Sequence, residues 1–237
     1  MKRLALLAIL TLLSLSDAVS KSILEPESTS KVNIGFKGGF ASTGLLMTDL
    51  YVQGHQIYEY ESNSQVGYYM SLVTRMTMKR FYLQTEIMPS HIRSAIEFDK
   101  NSWDPEATTT DMASFKMNGY YMEIPLLIGY NIIDDEPYSM SLFAGPKITI
   151  PFTNTYSTTF VGFGQEGLCE EPSSYYFSWI IGVGYKIGRA FFNFNYNIGL
   201  NNISESINYE TAPTDPNSIV SMDRHTGVFS FALGVFF

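Results

Sequence analysis

Apolar and polar residues alternate with a period of two along most of this chain. In residues 227–237, Phe229, Phe231, Leu233 and Val235 fall on one face while small residues dominate the other. This alternation predicts a β-strand whose two faces lie in very different environments. So apolar a strand would template aggregation if it formed an exposed sheet edge. The pattern therefore predicts that the sheet is covered or closes on itself.

Seven earlier segments show the same alternation, and their connections are alternately short and long. In barrels that cross an outer membrane, short periplasmic turns alternate with long outer loops, and strands of about 9–11 residues suffice to cross. We therefore predict an all-β fold, an eight-stranded antiparallel up-and-down transmembrane β-barrel. The predicted strands are Lys31–Phe40, Val66–Arg75, Phe81–Met88, Lys116–Ile132, Tyr138–Phe152, Tyr175–Ile187, Ala190–Leu200 and His225–Phe237. The long loops are residues 41–65, 90–115, 154–172 and 201–224.

The polar face of these strands is rich in Gly, Ser, Asn and Thr, with about one charge per strand. As a water-exposed exterior this face has too little charge, whereas a narrow eight-stranded lumen is filled by side chains. We predict a polar network in the lumen, with the glycines making room for long side chains. Its charged members are Lys37, Arg75, Glu86, Glu123, Lys147 and Lys186. A soluble ligand-binding barrel, with the apolar face inside, is the alternative.

The amino terminus predicts export. A basic start and a short apolar run indicate a signal peptide over residues 1–20, with cleavage near 18–20. A polar leader, residues 21–30, then precedes the barrel domain, residues 31–237. No later run of 18 apolar residues offers a transmembrane helix. The one cysteine, Cys169, cannot form an internal disulfide, and the sequence contains no metal or cofactor motif.

The net charge and its distribution along the chain indicate which classes of partner the protein could bind. The formal net charge is -8, and the absence of basic clusters argues against nucleic acid. The four long loops together contain fifteen acidic and three basic side chains, a net charge of -12. These loops are either a solvated fringe or a surface that holds divalent cations bridging to anionic lipid or to a partner.

Several short segments resemble the PorT-like outer-membrane β-barrel domain family of Bacteroidetes. They are Gly35-Phe-Lys-Gly-Gly39, Phe81-Tyr-Leu-Gln-Thr-Glu86, Tyr121-Met-Glu-Ile-Pro-Leu-Leu127, Phe143-Ala-Gly-Pro146 and Tyr196-Asn-Ile-Gly-Leu-Asn-Asn-Ile203. The resemblance covers residues 31–237 and implies an eight-stranded barrel in the cell outer membrane. It also implies that Phe237 is the signal read by the barrel-insertion machinery. One member is tied to a protein secretion and maturation system, a role that fold alone does not transfer.

The favoured function is a non-catalytic outer-membrane barrel, without cofactor, whose long acidic loops contact outer-membrane lipid, a ligand or a protein partner. The alternative is a lipid-modifying enzyme with a histidine site at the outer rim. Ser90 and His91 end the third strand and Asp223 and His225 begin the eighth, so all four are expected on that rim. Glu86 and Glu123 also suggest paired-carboxylate chemistry, but the cations around them favour a structural network.

Overall fold

The computed structural model describes residues 30–52, 55–56, 61–101, 109, 111–135, 137–152, 157–162, 168–201, 204–209 and 221–237. The predicted signal peptide and nearly all of the leader lie outside these residues. The strands are β1 Ser30–Val52, β2 His55–Gln56, β3 Glu61–Met78, β4 Phe81–Asp99, β5 Met112–Asp135, β6 Tyr138–Pro151, β7 Ser157–Val161, β8 Leu168–Pro172, β9 Tyr176–Ile187, β10 Ala190–Gly199, β11 Ser204–Tyr209 and β12 Ser221–Phe236. No helix among the described residues is long and apolar enough to cross a membrane.

Eight of these strands form a closed antiparallel ring in the described part of the chain. Their order is β1–β3–β4–β5–β6–β9–β10–β12, and β12 pairs back onto β1. The closing register runs from Gly35 opposite Phe236 to Tyr51 opposite Ser221. The predicted eight-stranded up-and-down barrel is therefore confirmed, and the apolar last strand is a paired seam. The remaining strands are short: β2 pairs with β1, β7 with β5, and β8 with β11.

The three short connections lie at one end, beside both ends of the described chain. Met78 pairs with Phe81 across a two-residue turn, and Ile187 pairs with Ala190 across another. Lys79 and Gly188 adopt positive φ in these turns, at 55° and 58°, as tight hairpins between twisted strands require. Since short turns face the periplasm in such barrels, we assign this end to the periplasmic side.

The barrel has an apolar outer face that is about one membrane thick. Phe81 pairs with Tyr130 near the periplasmic end, and His91 pairs with Tyr120 ten residues farther along β4. At about 3.4 Å per residue and a tilt of about 40°, these rows are about 25 Å apart. The exposed side chains in between are large and apolar, among them Leu83, Ile87, Leu126, Ile128, Leu142, Ile181, Val183, Phe194 and Phe231. The alternative of a soluble barrel with its apolar face inside is therefore wrong.

The lumen is filled by aromatic rings as well as by polar groups, which the sequence pattern did not predict. Tyr82, Leu127, Phe143 and Ile180 form one buried cluster. Glycines on the facing strands make the room: a Cβ on Gly129 would lie 2.0 Å from Cζ of Tyr82. The glycines were expected to make room for long side chains, and at Gly129 and Gly182 the side chains that they accommodate are aromatic rings.

The strands beyond the His91 row are much longer than predicted. β4 and β5 stay paired as far as Asp99 and Met112, through residues that we expected to be loop. β1 and β3 likewise extend into the predicted first loop, to Val52 and from Glu61. The other two predicted loops contain the short strands β7, β8 and β11. In the part of the chain that the structure describes, the outer end is therefore largely β-sheet, and β4 and β5 form one long pair within it.

The polarity of the two faces reverses in this extension. Arg93, Lys116 and Asn118 are exposed on its outer face, while Phe98 and Phe115 are buried on its inner face. Below the His91 row the same strands present apolar residues outward and Gln84 and Glu86 inward. Water outside the extension and lipid outside the barrel account for the reversal, because apolar groups avoid water in both places. We call the paired residues 92–99 and 112–119 the outer wall.

Candidate functional site

A buried ion pair anchors the middle of the lumen. Lys37 Nζ donates to Glu86 Oε1 at 2.8 Å, and both side chains are at most 4% exposed. Gln84 Nε2 donates to the same oxygen at 2.6 Å, and Ser71 Oγ donates to Glu86 Oε2 at 2.9 Å. Strand alternation places all four inward, since they come from the lumen-facing positions of β1, β3 and β4. Every oxygen of the carboxylate thus has a donor, as a buried charge requires.

Glu123 forms a second buried ion pair with Lys147. Lys147 Nζ lies 2.5 Å from Glu123 Oε2, and Ser90 Oγ donates to Oε1 at 2.7 Å. The two predicted carboxylates therefore accept from different lysines. The structure shows two separate clusters instead of a pair of carboxylates sharing one proton.

Arg75 is buried, and among the described residues no carboxylate lies at hydrogen-bonding distance from it. Its Nε donates to Gln84 Oε1 at 2.7 Å. Its guanidinium carbon lies 4.1 Å from the ring centre of Tyr82 and 4.9 Å from that of Phe236. Aromatic faces attract a cation in this geometry. Arg75 thus joins the Glu86 cluster through Gln84, a residue that the sequence reasoning missed although its inward position was predictable.

Lys186 does not join either cluster. It is half-buried and lines a cavity at the periplasmic mouth together with Phe237. The expectation of a six-membered charged network is therefore corrected to five buried members and one mouth residue. The physical reason is that Lys186 lies next to Ile187, the last residue of β9, and therefore at the periplasmic end of that strand.

The described part of the lumen is packed at the level of the ion pairs. Two cavities border Lys147 there, each of about 30 Å³. A cavity of that size holds on the order of one water molecule. Eight-stranded barrels have interiors just wide enough to be filled in this way.

The predicted rim residues are not assembled into one site. Ser90 is buried and faces the lumen, whereas His91, its neighbour on the same strand, lies on the outer face between Tyr68 and Tyr120. His91 Nε2 lies 2.6 Å from Asn118 Oδ1. Adjacent residues of a strand point to opposite faces, so this His cannot act on this Ser. The expectation that these two residues converge is therefore corrected.

Asp223 and His225 lie on another side of the barrel. Both are in β12, where His225 pairs with Leu46 of β1, and their side chains lie outside the described residues. β1 and β3 separate β12 from β4, a separation of about 14 Å at three strand spacings. Among the described residues, no group of three or more His, Cys, Asp or Glu is placed to hold a metal ion.

Comparison with known proteins agrees with this architecture. Residues 20–205 match the outer membrane protein β-barrel domain family. The chain belongs to that family, and it is an outer-membrane protein. No curated protein matches the sequence.

Solved structures of outer-membrane proteins are similar to this chain at low sequence identity. OprG of Pseudomonas aeruginosa has a TM-score of 0.51 at 13% identity, with 89% of this chain and 98% of that chain covered. The Neisserial surface protein NspA gives 0.41 at 12%, covering 87% and 99%. The outer membrane protease OmpT of Escherichia coli gives 0.40 at 10%, covering 86% and 97%. At an identity of 13%, the similarity to OprG shows the fold alone.

Proposed function

We propose that this protein is a non-catalytic outer-membrane barrel with a packed lumen, whose outer end recognises a partner molecule at the cell surface. The observation that carries the proposal is the outer wall. β4 and β5 stay paired for eight residues beyond the His91–Tyr120 row. At about 3.4 Å per residue along tilted strands, the wall rises about 20 Å above the lipid band. A sheet that continues so far beyond the membrane is not needed to cross it.

The wall has its own apolar inner face, which supports a rigid structure over a solvated fringe. Ile96 and Phe115 are fully buried there, and the Phe115 ring contacts Phe160 of β7 at a centroid distance of 5.0 Å. Lys100 and Asp111 form an ion pair of 2.7 Å near the top of the wall. A surface that is ordered before binding loses less conformational entropy when a partner binds. This favours recognition by the wall and by the acidic segments around it.

The two lumen clusters support the non-catalytic part of the proposal. Each buried charge of the two ion pairs is bound by protein groups within a packed interior, which leaves no room there for a substrate. Ser90, the one candidate nucleophile, donates to Glu123. A rim enzyme that modifies lipid stays the second candidate, and it requires His91 or His225. It fails if replacing both histidines leaves the outer-membrane lipid profile unchanged while deleting the whole gene alters it.

The sequence resemblance to the PorT-like family of Bacteroidetes supports a finer proposal, that the protein is an accessory of a secretion system. In that role the partner is a protein component of the system, and loss of the chain is expected to lower the secretion of its cargo. Normal secretion in a deletion strain would contradict the accessory role and leave the recognition role standing.

A shortened-wall variant tests recognition. An Asn-Gly turn that joins Arg93 directly to Asn118 would replace the wall by a two-residue hairpin at a position where these two residues already pair. A photo-crosslinker at Tyr68, on the outer face just below the wall, is placed in the full-length and the shortened protein and activated in intact cells. We expect a discrete protein or lipopolysaccharide adduct that the shortened variant loses.

Two controls make this result interpretable. The shortened variant should still show heat-modifiable migration on a gel, which reports a folded barrel. A crosslinker at Ile128, on the outer face within the lipid band, should give only lipid adducts. The same Tyr68 adduct with and without the wall would contradict the proposal.

A further inference from the structure

The periplasmic mouth of the barrel contains a cavity of about 550 Å³. It is lined by the bottom of the lumen and by two of the short turns. Ligand-binding pockets commonly have volumes of about 300–1,000 Å³, so this cavity is large enough for a small molecule. Its size contrasts with the two cavities of about 30 Å³ beside the ion pairs.

Basic side chains dominate the charge of this cavity. Arg75, Lys79, Lys186 and Arg189 line it, and Asp134 is the one acidic side chain among the described residues that line it. The four cationic side chains and this one carboxylate give the described lining a net charge of about +3, in a protein whose formal net charge is -8.

Among the described residues, none of these four cations takes part in a salt bridge. Arg75 is buried and lines the cavity, and its Nε donates to Gln84 Oε1 at 2.7 Å. A guanidinium has five N–H donors, and this bond uses one of them. A planar donor group with capacity beyond this bond thus lines the cavity.

We propose that this cavity binds a small multivalent anion, bearing phosphate or carboxylate groups, on the periplasmic side. The cavity places a planar guanidinium, suited to two-pronged contact with such groups, at its inner end. The side chains of Lys79, Lys186 and Arg189 supply further charge nearer the opening, and the amides of Asn33 and Asn131 supply uncharged polar contacts.

Binding is tested by calorimetry on the full-length protein in detergent micelles at low salt. Pyrophosphate and citrate are the probes, and acetate is the monovalent comparison. We expect at least one of the two multivalent probes to bind, more tightly than acetate, with an affinity that falls as sodium chloride is added. Binding of pyrophosphate alone assigns a phosphate ligand, and binding of citrate alone assigns a carboxylate ligand. A probe concentration of about 10 mM is high enough to reveal even a weak site. If neither probe gives heat of binding at that concentration, the proposal is overturned.

The variant for this test combines Lys79→Asn, Lys186→Gln and Arg189→Gln. Asn tolerates the positive φ of residue 79. Removing three charges at the opening is expected to weaken binding at least about tenfold. The matched control, Arg80→Gln, removes a charge from the same turn as Lys79 without touching the cavity lining, and it should change the affinity less than about twofold.

Heat-modifiable migration establishes that both proteins are folded before they are titrated. If Arg80→Gln weakens binding as much as the triple variant, the anion is attracted by the general charge of this end and the assigned cavity is wrong. Loss confined to the triple variant supports the cavity.

Discussion

The charge on Glu86 should contribute several kcal/mol to the stability of this barrel. Glu86→Gln keeps the shape of the side chain and removes the charge that pairs with Lys37 Nζ at 2.8 Å. The two side chains are 4% and 1% exposed, so solvent screens them little. Removing one partner of a buried ion pair typically costs about 3–5 kcal/mol, because the other charge stays buried and unpaired. We expect a loss within this range.

The assay is equilibrium unfolding by urea in lipid vesicles or detergent, followed by tryptophan fluorescence and by heat-modifiable migration. A double-mutant cycle with Lys37→Met separates the pair from its surroundings, since the double variant lacks both charges of the ion pair. The double variant should be more stable than Glu86→Gln alone, with a coupling energy of at least about 2 kcal/mol. Glu61→Gln, at an exposed position of β3, is the control and should change stability by less than about 0.5 kcal/mol.

A loss of less than about 1 kcal/mol in Glu86→Gln, with the control behaving as expected, would contradict a buried, unsolvated ion pair. That result would mean that water reaches Lys37 in the lumen and solvates it. It would also remove the ground for describing the lumen as packed.

Two further predictions concern packing. In the same urea titration, Gly129→Ala would place a Cβ 2.0 Å from Tyr82 Cζ and should destabilise the barrel by about 1–3 kcal/mol. Gly38→Ala, whose Cβ would meet nothing closer than 3.8 Å, should be close to neutral. Equal effects of the two variants would contradict the proposed packing. Phe115→Ala removes a fully buried ring from the outer wall, and truncations of buried rings cost about 3–5 kcal/mol. Limited proteolysis of intact cells should then cut the wall while the membrane part stays protected. An uncut wall would show that the wall does not depend on this ring.

Much of the barrel was predictable because the membrane part obeys one rule throughout. Apolar residues point to lipid and small or polar residues point inward, so alternation alone located eight strands and the inward charges Lys37, Glu86 and Glu123. Closure followed from the apolar last strand, which could not stay an edge. The pairing of each carboxylate with its own lysine depends on register between strands, and alternation does not contain that information.

The outer wall was missed for a physical reason. Above the membrane the outer face meets water, so the alternation inverts: Ile96, Phe98 and Phe115 turn inward while Arg93 and Lys116 turn outward. Outward apolar residues mark a lipid-facing strand, and their loss in residues 90–115 predicts a loop where the structure has sheet. An inverted alternation directly following a lipid-facing strand is the signal that would have predicted the extension.

The lumen rings were missed because the pattern cannot say which inward residues meet. Tyr82 faces Gly129, Phe143 faces Gly182 and each ring fills the space that the glycine leaves. Seen in one strand, such a glycine suggests only a bend or a close approach.

The central claim is that the His91–Tyr120 row separates a lipid-facing barrel from a wall exposed at the cell surface. Its most direct test uses two positions on the outer face of the same strand, Lys116→Cys and Ile128→Cys, with Cys169 replaced by Ser. Intact cells are treated with a membrane-impermeant maleimide. We predict that Lys116→Cys is labelled and that Ile128→Cys is labelled only after the barrel is unfolded in detergent. Equal labelling of both positions in intact cells, or protection of Lys116→Cys, would contradict the account.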